Sequence, residues 1–151
     1  MPDAPNPMFD LFNEIGIISQ LSRAFFEARL PDGMVLPHFS VLNHLVRVGE
    51  GRTPVQIARA FQVPKNSMTH TLGGLETRGL IEVRPNPKDG RSKTIWLTEA
   101  GRSFREEAIA RVGRDIIPML PEMDAEEVAR TLGFLKQLRE EMDRARDKWF
   151  S

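Results

Sequence analysis

The 151-residue sequence contains no cysteine. Disulfide bonds, thiolate chemistry and cysteine–zinc sites are therefore excluded. No apolar run approaches the roughly 18 residues that span a bilayer, and the N-terminus lacks the basic and apolar segments of a signal peptide. From these absences we expect a cytoplasmic protein that has no membrane partner.

The short motifs that mark enzyme active sites are also missing. No G-x-S-x-G, H-E-x-x-H, P-loop or dinucleotide-binding pattern surrounds the serines, histidines and carboxylates. His38 and His44 do not have the i, i+4 spacing that would bring both imidazoles to one helical face. We therefore predict that the chain is not an enzyme and holds neither a cofactor nor a metal ion.

Charge is balanced over the whole chain but not along it. The 21 basic residues offset 21 acidic residues. Residues 31–97 nevertheless contain nine basic and five acidic residues, so this middle part is net positive and the remainder is net negative. A local basic excess favours a polyanionic partner such as nucleic acid.

A short helix is predicted to begin after Thr53. Thr53 is a good N-cap, Pro54 suits the first helical position, and Gln56 completes a capping box. The apolar stripe of this helix consists of Ile57, Ala58 and Phe61. A turn is predicted at Gln62 and Val63, with the Val63 side chain filling an apolar gap.

A second helix is predicted from Pro64 to Gly79, where left-handed backbone is favoured. Met68, Leu72 and Leu75 recur at helical spacing and should face the core. The opposite face should consist of Lys65, Asn66, Ser67, Thr69, His70, Gly73 and Gly74. Such a small, polar and weakly basic surface is typical of a helix that enters the major groove of DNA.

A β-hairpin is predicted after the second helix, with strands in residues 80–83 and 92–97. The link, residues 84–91, is rich in turn formers and cations. Asp89 and Arg91 should pair and brace this link. Three other cations would then be free to bind phosphates: Arg84, Lys88 and Lys93. Two helices followed by such a hairpin predict a winged helix-turn-helix, a DNA-reading unit.

The run from residue 57 to residue 101 resembles the multiple antibiotic resistance regulator (MarR) family of bacterial transcription factors. The matching segments are V-P-K-N-S-M-T at 63–69, L-E-T-R-G-L-I at 75–81, R-P-N-P-K-D-G-R at 84–91 and L-T-E-A-G at 97–101. The last two are the most specific. This chain departs from the family pattern at His70, where Arg is frequent, and at the Gly73-Gly74 pair.

The resemblance implies a homodimer that binds a palindromic operator in double-stranded DNA and regulates transcription, with a repressor favoured and an activator as the alternative. The candidates for base contacts in the major groove are Asn66, Ser67, Thr69 and His70, with Lys65 on phosphate or guanine. The candidates at the minor groove are Arg84, Lys88, Arg91 and Lys93. The alternative for each polar side chain is a solvated surface. For the chain as a whole, the alternative is a protein-interaction module without specific DNA binding.

The segments on either side of the two central helices and the hairpin are predicted to be helical. Before them, a helix is predicted from Leu36 to Val48, with Phe39, Leu42, Leu45 and Val46 facing inward, and a loop is predicted at residues 49–51. Residues 8–30 are apolar on more than one face, which favours half of a dimer interface over a core helix of a monomer. Helices are also predicted from Thr98 to about residue 117 and from Asp124 onwards, the latter with apolar residues at spacings close to those of a coiled coil. Residues 1–7 are expected to form a loose tail.

We therefore predict a mainly α fold with a small β-hairpin wing, organised as a single domain over residues 1–151. The winged helix-turn-helix occupies residues 31–97, and residues 8–30 and 98–150 form the helical dimerisation part. The resemblance also implies a small anionic effector, such as a phenolic compound, that binds between the dimer helices and the DNA-reading part and releases DNA; the alternative is a regulator without a ligand. The candidate ligand residues are Phe25, Phe26, Arg29, His38 and Phe39; for the aromatics, plain core packing is the alternative.

Overall fold

The computed structural model describes residues 6–149, which fall into two compact units that divide after Asp115. Over these residues the chain forms six α-helices and one two-stranded antiparallel sheet. The predicted mainly α fold with a small β-hairpin is therefore confirmed. None of the helices in residues 6–149 combines the length and the apolar composition of a membrane-spanning segment.

The first unit contains five helices and the hairpin. In chain order these are α1 (Pro7–Glu27), α2 (Leu36–Val48), α3 (Pro54–Ala60), α4 (Lys65–Thr77), β1 (Ile81–Pro85), β2 (Lys93–Leu97) and α5 (Glu99–Asp115). The second unit contains a 3-10 turn (Ile117–Met119), α6 (Ala125–Ala145) and a second 3-10 turn (Arg146–Lys148).

The first helix begins one residue before the predicted start. The Asn6 side chain accepts a hydrogen bond of 3.0 Å from the Met8 N–H and so satisfies a free amide of the first turn. α1 ends at Glu27, and the predicted last turn to residue 30 is replaced by hydrogen-bonded turns. Most of the predicted loose tail, residues 1–5, lies outside the described residues.

The capping box at the start of α3 is confirmed. The Gln56 N–H donates to Thr53 Oγ1 at 3.2 Å, and the Thr53 N–H donates to Gln56 Oε1 at 2.9 Å. Gln62 takes up the reversal of the chain with a φ of 55°. The predicted role of Val63 as an apolar plug is wrong, because its side chain is 38% exposed. Val63 instead contributes its N–H, which donates to the Ala58 carbonyl at 3.1 Å.

The core of the first unit lies where α2, α3 and α4 meet the sheet. Leu42, Leu45, Ile57 and Leu75 are all at least 99% buried. Val46, which the helical pattern predicted to face inward, is partly exposed. Val41 is buried in its place, because it lies one turn before Leu45 on the same face of α2.

The sheet forms the wing, and the 49–52 loop extends it. β1 pairs with β2 from Ile81–Leu97 at one end to Pro85–Lys93 at the other. The Gly51 N–H donates to the Ile95 carbonyl at 2.8 Å, and the Ile95 N–H donates to the Arg52 carbonyl at 2.9 Å. The sequence predicted only a loop at these residues. A segment that forms just two backbone hydrogen bonds to β2 is too short to show the alternating apolar pattern of a strand.

The start of α5 packs against the turn between α4 and β1. Thr98 Oγ1 accepts from the Gly101 N–H at 3.0 Å, which caps the helix as predicted, and donates to the Gly79 carbonyl at 2.6 Å. A Cβ atom on Gly101 would collide with the Leu80 carbonyl oxygen. The L-T-E-A-G motif therefore serves the packing of the wing onto α5.

The second unit is dominated by α6. Asp124 accepts from the Glu126 N–H at 3.0 Å, so the helix begins where the sequence predicted. Its apolar side chains are substantially exposed, with Leu132 and Phe134 each at 50% and Val128 at 39%. This pattern leaves an apolar surface along α6 within its own unit.

Candidate nucleic-acid interface

The polar face of α4 points away from the core. Met68, Leu72 and Leu75 fix the helix on the core because all three are buried. The opposite face is consequently turned outward. All five predicted site residues of this helix are exposed: Lys65, Asn66, Ser67, Thr69 and His70.

The Thr69 hydroxyl has a restricted hydrogen-bonding role. Its Oγ1 donates to the Lys65 carbonyl at 2.9 Å, so the hydroxyl proton is used inside the helix. The oxygen lone pairs and the methyl group remain on the outer face. Thr69 therefore offers an acceptor to a base amino group, or a methyl contact to thymine, rather than a donor.

The two glycines of α4 have different surroundings. A Cβ atom on Gly73 would meet nothing within 4 Å, whereas one on Gly74 would lie 2.8 Å from His38 Nε2. The His38 ring is held in place because its Nδ1 accepts from the Val35 N–H at 3.0 Å. Burial lowers the pKa of His38 below its ordinary value, and the positive charge of Arg78 lowers it further. A neutral imidazole therefore packs on the α4 backbone.

The wing tip is braced by short polar contacts. Asp89 Oδ1 accepts from the Arg91 N–H at 3.0 Å and from Arg91 Nε at 3.4 Å, so the predicted pair is confirmed. Asn86 bonds the Lys88 N–H through Oδ1 and Ser92 Oγ through Nδ2. The Arg91 side chain is 94% exposed. Lys88 and Lys93 are exposed as well.

Arg84 is not the free cation that the sequence predicted. Its Nη2 lies 3.2 Å from Glu82 Oε2, and its guanidinium lies over the Trp96 ring, 4.5 Å from the ring centroid. The hydrogen bond from Arg84 holds the pKa of Glu82 below its ordinary value. The hairpin register explains the cluster, since Arg84 pairs with Thr94 and Glu82 with Trp96, and paired residues share one face of a sheet.

Sequence reasoning also missed the anchor of the wing root. Glu50 Oε1 accepts from the Leu97 N–H at 2.8 Å, and its Oε2 accepts from Arg102 Nη2 at 2.8 Å. One carboxylate thus joins the 49–52 loop to the end of β2 and the start of α5. In the sequence, a glutamate between two glycines is indistinguishable from a residue of any surface loop. Only the tertiary contacts of Glu50 show that it joins these segments.

The five candidate ligand residues occupy three neighbouring environments. The rings of Phe26 and Phe39 contact each other in a tilted arrangement, with an interplanar angle of 48° and centroids 4.6 Å apart. Arg29 lies over the Phe25 ring at 3.8 Å and pairs with Asp115 at 3.1 Å. His38 packs on α4 as described above. Of the five, Arg29 lines a cavity of about 170 Å³ whose other walls are Leu30, Pro31, Phe104, Glu107, Ala108 and Arg111.

Over residues 6–149, no three histidine, aspartate or glutamate side chains come together in a way that could hold an ion. The candidate interface consists of the polar face of α4, the braced cationic tip of the hairpin, and Arg84 stacked on Trp96. All three suit contacts with bases and phosphates.

Comparison with known proteins identifies the family. The sequence model of the MarR family matches residues 32–92. The chain is 30% identical over 138 residues to the multiple antibiotic resistance protein MarR of Escherichia coli (strain K12), covering 85% of this chain and 95% of that protein.

Solved structures agree with this match. A mutant MarR from Escherichia coli, complexed with operator DNA, superposes with a TM-score of 0.68 at 27% identity and covers 88% of this chain and 96% of that one. Another crystal structure of MarR reaches a TM-score of 0.82 over 99% of this chain and 98% of that one, and its 23% identity supports the fold alone. The chain therefore belongs to the MarR family of DNA-binding transcriptional regulators.

Proposed function

We propose that the chain acts as a homodimeric repressor that occupies a palindromic operator. α4 would enter the major groove, and the wing formed by β1 and β2 would contact the adjacent minor groove. The observation that carries this proposal is the exposed polar face of α4, presented beside a braced cationic hairpin in a basic part of the chain. The similarity to a relative complexed with operator DNA supports it.

The proposed contacts are those expected from the sequence. Base edges would be read by Asn66, Ser67, Thr69 and His70, and Lys65 would contact phosphate or guanine. The wing would contribute Arg84, Lys88, Arg91 and Lys93. The small excess of basic residues in each reading unit implies that tight binding needs two units on one operator. Their half-sites would be about one helical turn, roughly 34–36 Å, apart.

The proposed division of labour follows the chain. Residues 31–97 would read DNA, and residues 8–30 and 98–150 would hold the two protomers together. α1 supports this role because Phe9, Ile18 and Leu21 are 68%, 60% and 67% exposed. A helix with such a surface is stabilised when a second apolar surface covers it.

The cavity beside Arg29 supports binding of a small effector. Leu30, Pro31, Phe104 and Ala108 form its apolar walls. Its charged lining residues are Arg29, Arg111 and Glu107, and Glu107 pairs with Arg111 at 3.8 Å, which leaves a net positive charge. A cavity of about 150 Å³ accommodates one benzene ring in another protein. We therefore propose a single-ring aromatic anion as the effector, with its carboxylate or phenolate directed towards Arg29.

A gel-shift titration tests the proposed function. The probe would be the DNA immediately upstream of the protein's own gene, with excess random DNA as competitor, at two salt concentrations. Specific regulation predicts binding that survives the competitor and weakens as salt rises. If the protein fails to bind any DNA at low salt, the regulator proposal is wrong and the protein-interaction alternative gains support.

A further inference from the structure

An aromatic platform lies at the root of the wing. A Cβ atom on Gly51 would lie 2.9 Å from Trp96 Cζ2, and the φ of Gly51 is +78°, so the indole rests against a backbone position that suits glycine. Trp96 Nε1 donates to Thr94 Oγ1 at 2.9 Å, and Thr94 Oγ1 donates to the Arg84 carbonyl at 3.3 Å. These contacts fix the orientation of the ring.

The Arg84 guanidinium is held between two partners on this platform. One is the Trp96 ring, 4.5 Å away, and the other is the Glu82 carboxylate at 3.2 Å. The side chains of Arg84 and Glu82 are 47% and 54% exposed, so solvent and ligands reach the ion pair. Such exposed pairs are weak and exchange readily for a stronger partner.

We propose that Trp96 is a positioning residue for Arg84 and that Glu82 competes with DNA phosphate for the same guanidinium. In the free protein the ring and the carboxylate hold the side chain extended across the wing. On the operator, a phosphate replaces Glu82 while Arg84 stays stacked on Trp96. This inference rests on the proposed function, because it assigns Arg84 a phosphate contact.

The energetics of ordering a side chain give the expected size of the effect. An arginine loses rotamer freedom when it binds a phosphate. Where an aromatic ring already orders the guanidinium, this conformational entropy is lost during folding and not during DNA binding. Removal of the ring should therefore weaken binding by roughly two- to tenfold per wing, the range for one immobilised side chain.

Trp96→Phe and Trp96→Leu form the matched test pair. Both substitutions remove the indole hydrogen bond to Thr94 and both keep an apolar side chain, but only phenylalanine offers a face for the guanidinium. We expect Trp96→Phe to keep operator affinity and Trp96→Leu to lower it. Equal affinities for the two variants, at equal thermal stability, would overturn the positioning role.

Salt dependence separates positioning from damage to the wing. Arg84→Ala should reduce the slope of log K against log salt by about 0.9 for each phosphate that the variant no longer neutralises. Trp96→Leu should lower affinity with an unchanged slope, because Arg84 still reaches its phosphate. A slope that falls equally in both variants would mean that Trp96→Leu disrupts the wing, and would contradict the proposal.

Glu82→Gln tests the competition. Removal of the carboxylate should raise operator affinity roughly two- to fivefold per wing, the range for an exposed ion pair. In the Arg84→Ala background the same change should have almost no effect, since the guanidinium that Glu82 occupies is gone. Equal gains in both backgrounds would show a general charge effect and overturn the competition.

The outcomes also separate this inference from the proposed function. If wild-type protein binds no operator, the proposed function is wrong. If it binds and Arg84→Ala binds equally well, the operator function stands and the phosphate contact of Arg84 is wrong. Suppose that Arg84→Ala weakens operator binding, and that the Trp96 and Glu82 substitutions change affinity by the same factor with and without Arg84. In that case the phosphate contact of Arg84 stands, and the positioning by Trp96 and the competition by Glu82 are wrong.

Discussion

Gly73 and Gly74 are adjacent in α4, yet the positions that a Cβ atom would occupy at the two residues have different surroundings. Alanine is favoured over glycine in a helix interior by about 1 kcal/mol. Gly73 has open space where a Cβ would lie, so Gly73→Ala should stabilise the protein by up to that amount. At Gly74 the new methyl group would displace His38 and break its bond to the Val35 N–H. Gly74→Ala should therefore be the less stable variant, by about 1 kcal/mol.

Chemical denaturation of the two variants checks this prediction. The control is the double variant Gly74→Ala with His38→Ala, compared with His38→Ala alone. Once the imidazole is absent, the alanine at position 74 should give the same gain as the alanine at position 73. If Gly74→Ala is as stabilising as Gly73→Ala in the wild-type background, the contact with His38 does not constrain the helix.

His38 and His44 predict a pH dependence of stability. Burial is the main cause that lowers both pKa values below their ordinary 6.5, and nearby arginines add to it. The unfolded chain therefore binds protons more readily than the folded chain around this pH. The free energy of unfolding should fall as the pH is lowered from about 7.5 to about 5.5.

Urea titrations across that range measure the effect, with His38→Gln as the comparison. The variant should show a smaller loss of stability on acidification, and the remainder should come from His44. Glu27 and Glu82 do not interfere, because their pKa values lie below an ordinary value of 4.5. A variant whose pH profile matches the wild type would exclude His38 as a contributor.

At the scale of single elements, local chemistry was predictable and tertiary contacts were not. The Thr53 capping box and the Asp89–Arg91 pair involve residues within three positions of each other, so their spacing alone revealed them. The isolated bridge between Arg52 and Ile95 and the stacking of Arg84 on Trp96 join distant segments. Such contacts require the register of the hairpin, which the composition of residues 84–91 does not fix.

The helix boundaries show the same distinction. α2 matches its predicted range because the turn before it and Gly49 after it both punctuate the chain. Within α2, one residue of the inward face was predicted wrongly: Val46 is exposed and Val41 is buried instead. Apolar residues occur on more than one face of this helix, so their spacing alone does not select the buried face. The polar face of α4 was predictable because Met68, Leu72 and Leu75 mark a single buried stripe.

At the wing tip, the substitution Arg91→Ala tests the contribution of one exposed cation to operator binding. Arg91→Ala removes a cation whose side chain is 94% exposed and whose ion pair with Asp89 spans 3.4 Å. Because such a pair adds little stability, folding and dimerisation should be unchanged. Operator affinity should fall, and the salt slope should decrease by about 0.9 for each phosphate that Arg91 neutralises.

Arg130→Ala is the matched control for Arg91. Arg130 is also exposed, at 70%, and pairs with a carboxylate at 3.8 Å. It lies on α6, in the proposed dimerisation part rather than the proposed reading unit, so both variants are first shown to be dimers by sedimentation analysis. In fluorescence anisotropy with labelled operator, at two salt concentrations, binding should weaken for Arg91→Ala only. Equal affinities for Arg91→Ala and wild type at moderate salt would remove Arg91 from the interface.

At the scale of the whole molecule, the family and the winged helix-turn-helix could be predicted from sequence motifs, whereas the proposed dimer could not. The motifs between residues 57 and 101 identify the MarR family, and the comparisons agree. The assembly is inferred from surfaces that the single chain leaves exposed. Apolar residues at helical spacing look the same whether a helix packs on its own chain or on a second copy, so the sequence left both alternatives open for α1.

Leu21→Glu tests the proposed dimer. Leu21 is 67% exposed on α1, so a charge there costs the single chain little, within about 0.5 kcal/mol for a surface substitution. In a dimer whose interface includes α1, the same carboxylate would be buried without a partner, and the protomers should separate. Sedimentation analysis should then give the mass of one chain rather than two.

Gln20→Glu is the control, because it introduces the same carboxylate at the neighbouring exposed position of α1. Far-ultraviolet circular dichroism should be unchanged for both variants. A separated Leu21→Glu protomer still carries α4 and the wing, yet it contacts only one half-site. Its operator affinity should therefore fall to that of non-specific binding, typically 10³- to 10⁷-fold weaker than specific binding. A variant that stays dimeric would place the interface elsewhere than on this face of α1.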